Sequence, residues 1–385
     1  MKESLKREIG GEFHLPLSYL FKKRLNQFNS FIPNSPGFLT SSGRDSLRLI
    51  IRSLNLTDGD EVLLPSYLCG DLLIPFKEES LTFTFYKINA DLSVDIDDIR
   101  KRITKETKVL LVIHYFGYPQ LIEELRKLSE EHSLYLIEDT VQSFLTRCDG
   151  QFSGSVGDLS FNSFRKFLPV LDGSLLLINT ENINSNNLKW ANPSLTHLLY
   201  LCLRYLGMSS KNLYLKTRIV PKPLFLWFFA LSDKALNKYP KPAKMSNSSK
   251  SLLCRLDFGD IILKRRANFQ YLLDNWHSDM VQPLFHELPA GVCPLGFPVL
   301  VNDNKRDHIR HELIKRRIYP PVHWNLPPDI DKEEFKTSWE VSRAILTIPI
   351  DQRYNLTDME YILRQIEVIV NWNTVPIVGS CGLAH

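Results

Sequence analysis

The chain has 385 residues, 44% of them apolar and 23% charged, the profile of a soluble globular protein with room for two or three lobes. Its 47 basic and 43 acidic side chains leave a net charge of +4 with no long basic stripe, which argues against nucleic acid as a partner. The opening residues from Met1 to Glu8 lack the apolar core of a secretory signal, so a cytoplasmic protein is expected. There Cys69, Cys148, Cys202, Cys254, Cys293 and Cys381, without CxxC or zinc spacing, read as reduced thiols, and no metal site is expected.

Residues 44–54 carry apolar side chains at helical spacing, and Asp58-Gly59 closes the turn behind them. Residues 61–64 read as a strand stopped by Pro65, residues 82–88 alternate as a second strand, and residues 108–114 form a continuous apolar run of the buried-strand type. Residues 121–132 predict an amphipathic helix, and residues 134–137 the next strand. Repeated strand-helix-strand units predict an α/β fold with a mainly parallel central sheet and flanking helices. In such sheets ligands bind beyond the carboxyl ends of the strands, where Pro65, His114 and Asp139 fall.

Residues 186–250 break this rhythm with two short, very apolar runs, 198–206 and 223–230, in a basic surround. They read as helices packed on the body or across a dimer, or as a surface that touches a membrane or a lipid-linked substrate; neither reaches spanning length. Beyond residue 251 the pattern resumes: a helix near 257–276, a strand at 297–301, a helix at 307–316, a loop at 319–325, a strand at 344–348 and a helix at 359–372. The expected organisation is an amino-terminal segment (1–35), a large α/β domain (36–185), the apolar and basic helical region (186–250), a smaller carboxyl-terminal α+β domain (251–373) and a tail (374–385).

One stretch carries chemistry. Asp158-Leu-Ser-Phe-Asn-Ser163-Phe-Arg-Lys166 leads into Asp172-Gly173-Ser174 and puts a lysine in a short loop between two buried-strand segments, with Glu138-Asp139 ending the strand before. Alone, Lys166 reads as a solvated loop lysine. A lysine and an acid on neighbouring strand ends are also the pair that pyridoxal phosphate requires, one for the Schiff base and one to keep the pyridine nitrogen protonated. Upstream, Ser42-Gly43-Arg44 opens a helix, where unpaired N–H groups and the dipole make an anion site.

The order of these motifs resembles the DegT/DnrJ/EryC1/StrS family of sugar aminotransferases, fold-type I pyridoxal-phosphate enzymes. The likeness runs from Gly10-Gly-Glu-Phe13 to Trp372, apart from most of residues 186–250. Ser42-Gly43-Arg44-Asp45-Ser46-Leu47 is similar to the family's SGTDAL, Gly59 through Tyr67 to GDEVIVPSY, His114-Tyr115-Phe116-Gly117 to HLYG, and Glu138-Asp139 through Ser143 to EDAAQA. Gly154 through Lys166 and on to Gly173 is similar to the lysine loop. The resemblance implies a fold-type I large domain with a smaller carboxyl-terminal domain, pyridoxal 5'-phosphate as cofactor, and a homodimer with its active site at the subunit interface.

It also implies roles. Lys166 would hold the cofactor and shuttle a proton, Asp139 would pair with the pyridinium, and Gln142 would sit near the 3-hydroxyl. Ser42, Gly43, Arg44 and Ser163 would bind the phosphate. His114, His323, Trp324, Arg343 and Arg353 would be candidates for contact with substrate, the two arginines by bidentate pairing. One branch of the family has histidine in place of the lysine and is a dehydratase; the lysine favours transamination.

The chain departs from the family in places. Where an aromatic residue often stacks on the pyridine ring the chain has Cys69, so either Tyr67 stacks or the thiol packs against the ring. The lysine loop is shorter than the common form. Lys244-Met245-Ser246 fits only part of the NYRMSEL segment, with Pro242 in the asparagine's place and Asn247 as a substitute by type alone. The expected activity is transfer of an amino group from an amino-acid donor, glutamate by resemblance, to a nucleotide-linked keto-sugar in surface-polysaccharide or related biosynthesis. Two rivals stand beside it: an aminotransferase on a lipid-linked or non-sugar ketone, and a non-catalytic regulatory or binding member.

Overall fold

The computed structural model describes residues 8–374 apart from 17, 29–31, 33–34, 149, 184–187, 191–193, 238–241 and 303. The side chain of Cys148, the tail from 375 and Cys381 lie outside the described residues.

In chain order the strands are β1 (Ile9–Gly10), β2 (Gly37–Thr40), β3 (Glu61–Pro65), β4 (Thr82–Tyr86), β5 (Thr107–Ile113), β6 (Tyr135–Asp139), β7 (Leu159–Phe161), β8 (Ser174–Ile178), β9 (Val281–Pro283), β10 (Phe297–Val301), β11 (Ile318–Tyr319) and β12 (Ile345–Ile348). The helices are α1 (Gly43–Ser53), α2 (Leu73–Glu78), α3 (Ile96–Arg102), α4 (Ile122–Glu131), α5 (Leu195–Thr217), α6 (Lys222–Asn237), α7 (Asn247–Leu253), α8 (Phe258–Asp274), α9 (Arg306–Lys315), α10 (Lys336–Ala344) and α11 (Leu356–Thr374).

Seven strands form the main sheet in the order β2-β8-β7-β6-β5-β3-β4. Strands β3 to β7 run parallel, and β8 is antiparallel to both β7 and β2. The sheet is covered on both faces, which is why β5, β6 and β8 read as continuous apolar runs and not as alternating ones. Asp158 ties β6 to the start of β7. It accepts the Leu136 N–H at 2.8 Å and pairs with the Arg126 guanidinium of α4 at 2.9 Å.

A smaller sheet, β9-β10-β12, is backed by α8, α9 and α11. The amino-terminal segment crosses to this carboxyl-terminal part: β1 pairs in parallel with β11, and Ile9 is buried in its core. A further cluster joins Phe13, Phe164, Phe167, Met208 of α5, Phe225 and Phe229 of α6, and Met245. The two apolar runs of residues 186–250 are therefore parts of long helices, α5 and α6, packed against each other and against the lysine loop's underside. Among the described residues no helix is long and apolar enough to cross a membrane.

Candidate active site

Three chain reversals at one end of the main sheet converge on a cavity of about 740 Å³. Helix α1 starts after β2, with Ser42 in extended conformation as its N-cap and the Ser42 Oγ accepting the Asp45 N–H at 3.2 Å. Residue 43 has to be glycine, because a Cβ there would stand 2.9 Å from the Asn162 carbonyl oxygen. The helix start is stiffened from behind. Asp45, buried and bonded by the Ser41 hydroxyl, pairs with Arg48 at 2.9 Å, and Arg48 reaches Glu78 at 2.7 Å.

Asp139 ends β6 at 6% exposure and faces the same cavity. One carboxylate oxygen accepts the Val141 N–H at 2.8 Å, and no cation among the described residues pairs with the group. Burial therefore pushes its pKa up to about 6, against the Val141 bond and the charge of Lys166, which pull it down. Gln142 follows, 1% exposed. Its Oε1 accepts the Phe116 N–H at 2.8 Å, while its Nε2 is buried on the cavity wall without an acceptor.

Lys166 ends a single 3₁₀ turn, Phe164–Lys166, set between the ends of β7 and β8. The turn is fixed by the Phe164 N–H to the Gly173 carbonyl at 3.0 Å and by the Gly173 N–H to the Ser41 carbonyl at 2.7 Å. Gly173 has φ +130°, and a Cβ there would meet Met245 at 2.5 Å. The Lys166 amine has no hydrogen-bond acceptor among the described residues and lies 6.0 Å from the centre of the Trp324 ring. Ser163 lines the cavity one turn before it.

The opposite wall comes from the smaller part of the molecule. His323 Nδ1 meets the Thr347 hydroxyl at 2.9 Å, and burial together with the Lys166 charge drops the imidazole to about 3, so it is neutral. Trp324 stands beside it. Arg353 also lines the cavity, but its N–H groups are engaged. It pairs with both oxygens of Asp351 at 2.7 and 2.8 Å and donates to the carbonyls of Glu12 and Gly11 at 3.0 and 2.9 Å.

Of the residues singled out in the sequence, the cavity thus gathers Ser42, Gly43, Arg44, Cys69, Asp139, Gln142, Ser163, Lys166, His323, Trp324 and Arg353. It does not gather three others. His114 is 1% exposed and sits behind the sheet end: its Nδ1 accepts the Gln120 N–H at 3.0 Å, so its Nε2 donates to Glu138 at 2.8 Å. Glu138 in turn accepts the N–H groups of Gly154, Val156 and Gly157, so His114 braces the turn into β7. Arg343 is exposed on α10, outside the cavity lining. Tyr67 is buried beneath Trp324, with ring centres 5.7 Å apart; of the two residues weighed for the stacking place, Cys69 reaches the cavity.

Several wall residues were not singled out. Arg165, next to the lysine, donates to the Tyr200 hydroxyl at 3.1 Å and lies 3.6 Å from Asp233 of α6 and 4.0 Å from Glu12. Burial alone would raise Glu12, but Arg204 and Arg165 hold it at about 2. Asn237 of α6 accepts from Arg44 at 2.9 Å. The adjacency of Arg165 to Lys166 is a usable signal; the arrival of Glu12 and Asp233 beside it, and of Asn237 beside Arg44, arises from long-range packing and has no local signature.

The donors fit pyridoxal phosphate. A helix start with no room for a side chain suits the phosphate, an unpaired buried acid suits a cationic ring nitrogen, and an orphaned amide N–H suits a ring oxygen.

The chain matches the DegT/DnrJ/EryC1/StrS aminotransferase family over residues 25–367. It is 30% identical over 169 residues to the GDP-perosamine synthase of Vibrio cholerae, covering 43% of this chain and 46% of that protein. It is 26% identical over 210 residues to the GDP-4-keto-6-deoxy-D-mannose 3-dehydratase of Escherichia coli O55:H7, covering 51% and 50%. The chain thus spans about half or less of the length of these curated relatives. Among solved structures, a Streptococcus pneumoniae protein described as a sugar aminotransferase, in its PLP form, superposes with a TM-score of 0.68 over 95% of this chain and 94% of that one, at 17% identity. That likeness shows the fold, the mainly parallel α/β architecture of fold-type I aminotransferases with a smaller carboxyl-terminal part.

Proposed function

Because the chain belongs to the DegT/DnrJ/EryC1/StrS aminotransferase family, we propose that it is a pyridoxal-phosphate aminotransferase that moves an amino group from an amino acid, glutamate by resemblance, to the keto group of a nucleotide-linked sugar. The observation that carries this reading is one cavity lined by an unpaired buried acid, Asp139, and a lysine amine without an acceptor, Lys166. The names of the relatives support the substrate class, since the perosamine synthase acts in the chemistry of a GDP-linked sugar.

Bound pyridoxal phosphate would supply an aldehyde that takes up the amino group and a cationic ring that accepts an electron pair from a C–H bond of the substrate. The chain's own residues do the rest. Lys166 holds the group through its amine and, when released, carries the proton between carbon atoms; a partly desolvated lysine suits this work. Asp139 compensates the ring nitrogen's positive charge and is relieved of its own burial cost in doing so. The Gln142 Nε2 gains an acceptor in the ring oxygen. The start of α1 and the hydroxyls of Ser42 and Ser163 hold the phosphate. Neutral His323 and Trp324 close the far wall and limit water. With Arg353 committed to Asp351 and two carbonyls, and Arg165 beside the carboxylates of Glu12 and Asp233, Arg44 is the cation of the wall best suited to an anionic substrate.

By the same resemblance the protein works as a cytoplasmic homodimer in surface-polysaccharide or related biosynthesis. Asn247, exposed at the start of α7, is the residue by type for a contact across subunits. A lysine at position 166 favours transamination over the dehydratase chemistry of the Escherichia coli relative. Incubation with glutamate and a panel of nucleotide keto-sugars tests the reading: mass analysis should find an aminated sugar and 2-oxoglutarate in equal amounts. Failure with every sugar, alongside amination of a lipid-linked or non-sugar ketone, would transfer the assignment to that substrate class.

A further inference from the structure

Helices α5 and α6 pack against each other as an antiparallel hairpin, and the sidedness of the hairpin is inverted. A surface helix ordinarily turns its leucines inward and its charges out. On α5 the inward face carries Arg204 and Lys211, both nearly inaccessible: Arg204 pairs with Glu12, and the Lys211 amine donates to the Glu12 carbonyl at 2.5 Å. The outward face carries Leu195, Leu199 and Leu206, spaced four and seven apart and 86%, 53% and 43% exposed. On α6 Leu226 and Trp227 are 49% and 55% exposed, and Ile219 at the turn is 79% exposed. Ten of the sixteen exposed large apolar residues among those described fall between residues 195 and 227. Exposed apolar side chains concentrated on one hairpin in this way mark an interaction surface.

Charge selects the occupant. Between Glu181 and Asp233 the sequence has no acidic residue and six basic ones, of which Lys216 and Arg218 are exposed at the hairpin turn. An apolar stripe beside an acid-free basic turn is the composition of a helix that lies in the headgroup region of an anionic bilayer. A second copy of the chain carries the same positive excess on this face, whereas an anionic lipid surface carries the opposite. Neither helix can span, so the hairpin lies on the bilayer and not across it.

We propose that the α5–α6 hairpin docks this protein on an anionic membrane surface through Leu195, Leu199, Leu206, Ile219, Leu226 and Trp227, steered by Lys216 and Arg218. Docking has a consequence for the site. The far end of α6 supplies Asp233 and Asn237 to the cavity wall, only about 16 Å along the helix from Leu226. The cavity is thereby held close to the bilayer surface.

The test mixes the full chain with vesicles of phosphatidylcholine, with or without phosphatidylglycerol, and measures co-sedimentation. Binding should require phosphatidylglycerol and weaken as salt rises. The double change Ile219→Asp with Trp227→Gln should lower partitioning at least tenfold while far-ultraviolet circular dichroism and solution mass stay as in the parent. Lys216→Glu and Arg218→Glu should each lower it by roughly fivefold or more. No binding to the anionic vesicles, or equal binding by the double variant, would overturn the proposal. So would a drop in solution mass in that variant, which would make the face a contact between copies of the chain.

Discussion

Tyr67 donates its hydroxyl to the main-chain carbonyl of His323 and so fastens the turn after β3 to the loop after β11, across the base of the cavity. The Tyr115 hydroxyl continues the chain at 2.5 Å to the Tyr67 carbonyl. Both tyrosines are buried, and the Trp324 ring packs on the pair, so the smaller part of the molecule is held to the main sheet beside the candidate lysine.

Tyr67→Phe removes that fastening without changing shape. A buried carbonyl deprived of its donor costs about 1–3 kcal/mol. Urea unfolding should show a loss in that range, and the Michaelis constant for the sugar should rise more than turnover falls, because the His323–Trp324 wall is loosened. Unchanged unfolding and unchanged kinetics would mean that the contact carries no weight.

Asp139 gives a pH signature in the cofactor-free protein. Its folded-state pKa, about 6, lies above the unfolded carboxylate value, so the folded form binds the proton more tightly. Stability from this group is present below about pH 4 and is lost as pH rises through 6; the linkage amounts to roughly 3 kcal/mol. Asp139→Asn should therefore be more stable than the parent at pH 7.5 and equal to it near pH 4, while binding pyridoxal phosphate far more weakly. Thermal unfolding of both proteins over that pH range measures the gap. A gap that does not change with pH would refute the assignment of an unpaired buried acid.

Gly43→Ala places a methyl group 2.9 Å from the Asn162 carbonyl oxygen, at the start of α1. The backbone there has to shift, and the N–H groups proposed to hold phosphate shift with it. Cofactor affinity should fall at least tenfold, with a smaller loss of about 1 kcal/mol in stability. Fluorescence titration with pyridoxal phosphate reads the first and denaturant unfolding the second.

Much of this site could be read from the chain because its parts are local. Ser42 caps the helix whose spacing announced it, Asp139 ends an apolar strand, and the lysine loop lies between two strands separated by few residues. The rest of the site is non-local. β1 pairs with a strand more than three hundred residues away, from Ile9 to Ile318, so nothing near Gly10-Gly11-Glu12 signals that it will wall the cavity. Asp233 and Asn237 reach the site only because α6 folds back on α5. His114 looked like a site residue by its place after β5, yet the Glu138 carboxylate one strand over captures its ring. The length of α5 and α6 was hidden for a related reason. The apolar run 198–206 is only part of α5, because the helix continues through Lys211, a charged residue that it buries on its inward face, and the run 223–230 is only the first half of α6.

Everything proposed for this site depends on Lys166 as the residue that bonds pyridoxal phosphate and moves the proton. The most direct measurement mixes the protein with pyridoxal phosphate, reduces the mixture with borohydride, and maps the modified peptide by mass spectrometry in the parent and in Lys166→Ala. The expected result is the cofactor's mass on Lys166 in the parent, and in the variant an intact fold with no visible absorption band from bound cofactor and no amination. A parent modified at another lysine, or a Lys166→Ala protein that keeps its visible band and its turnover, would contradict it.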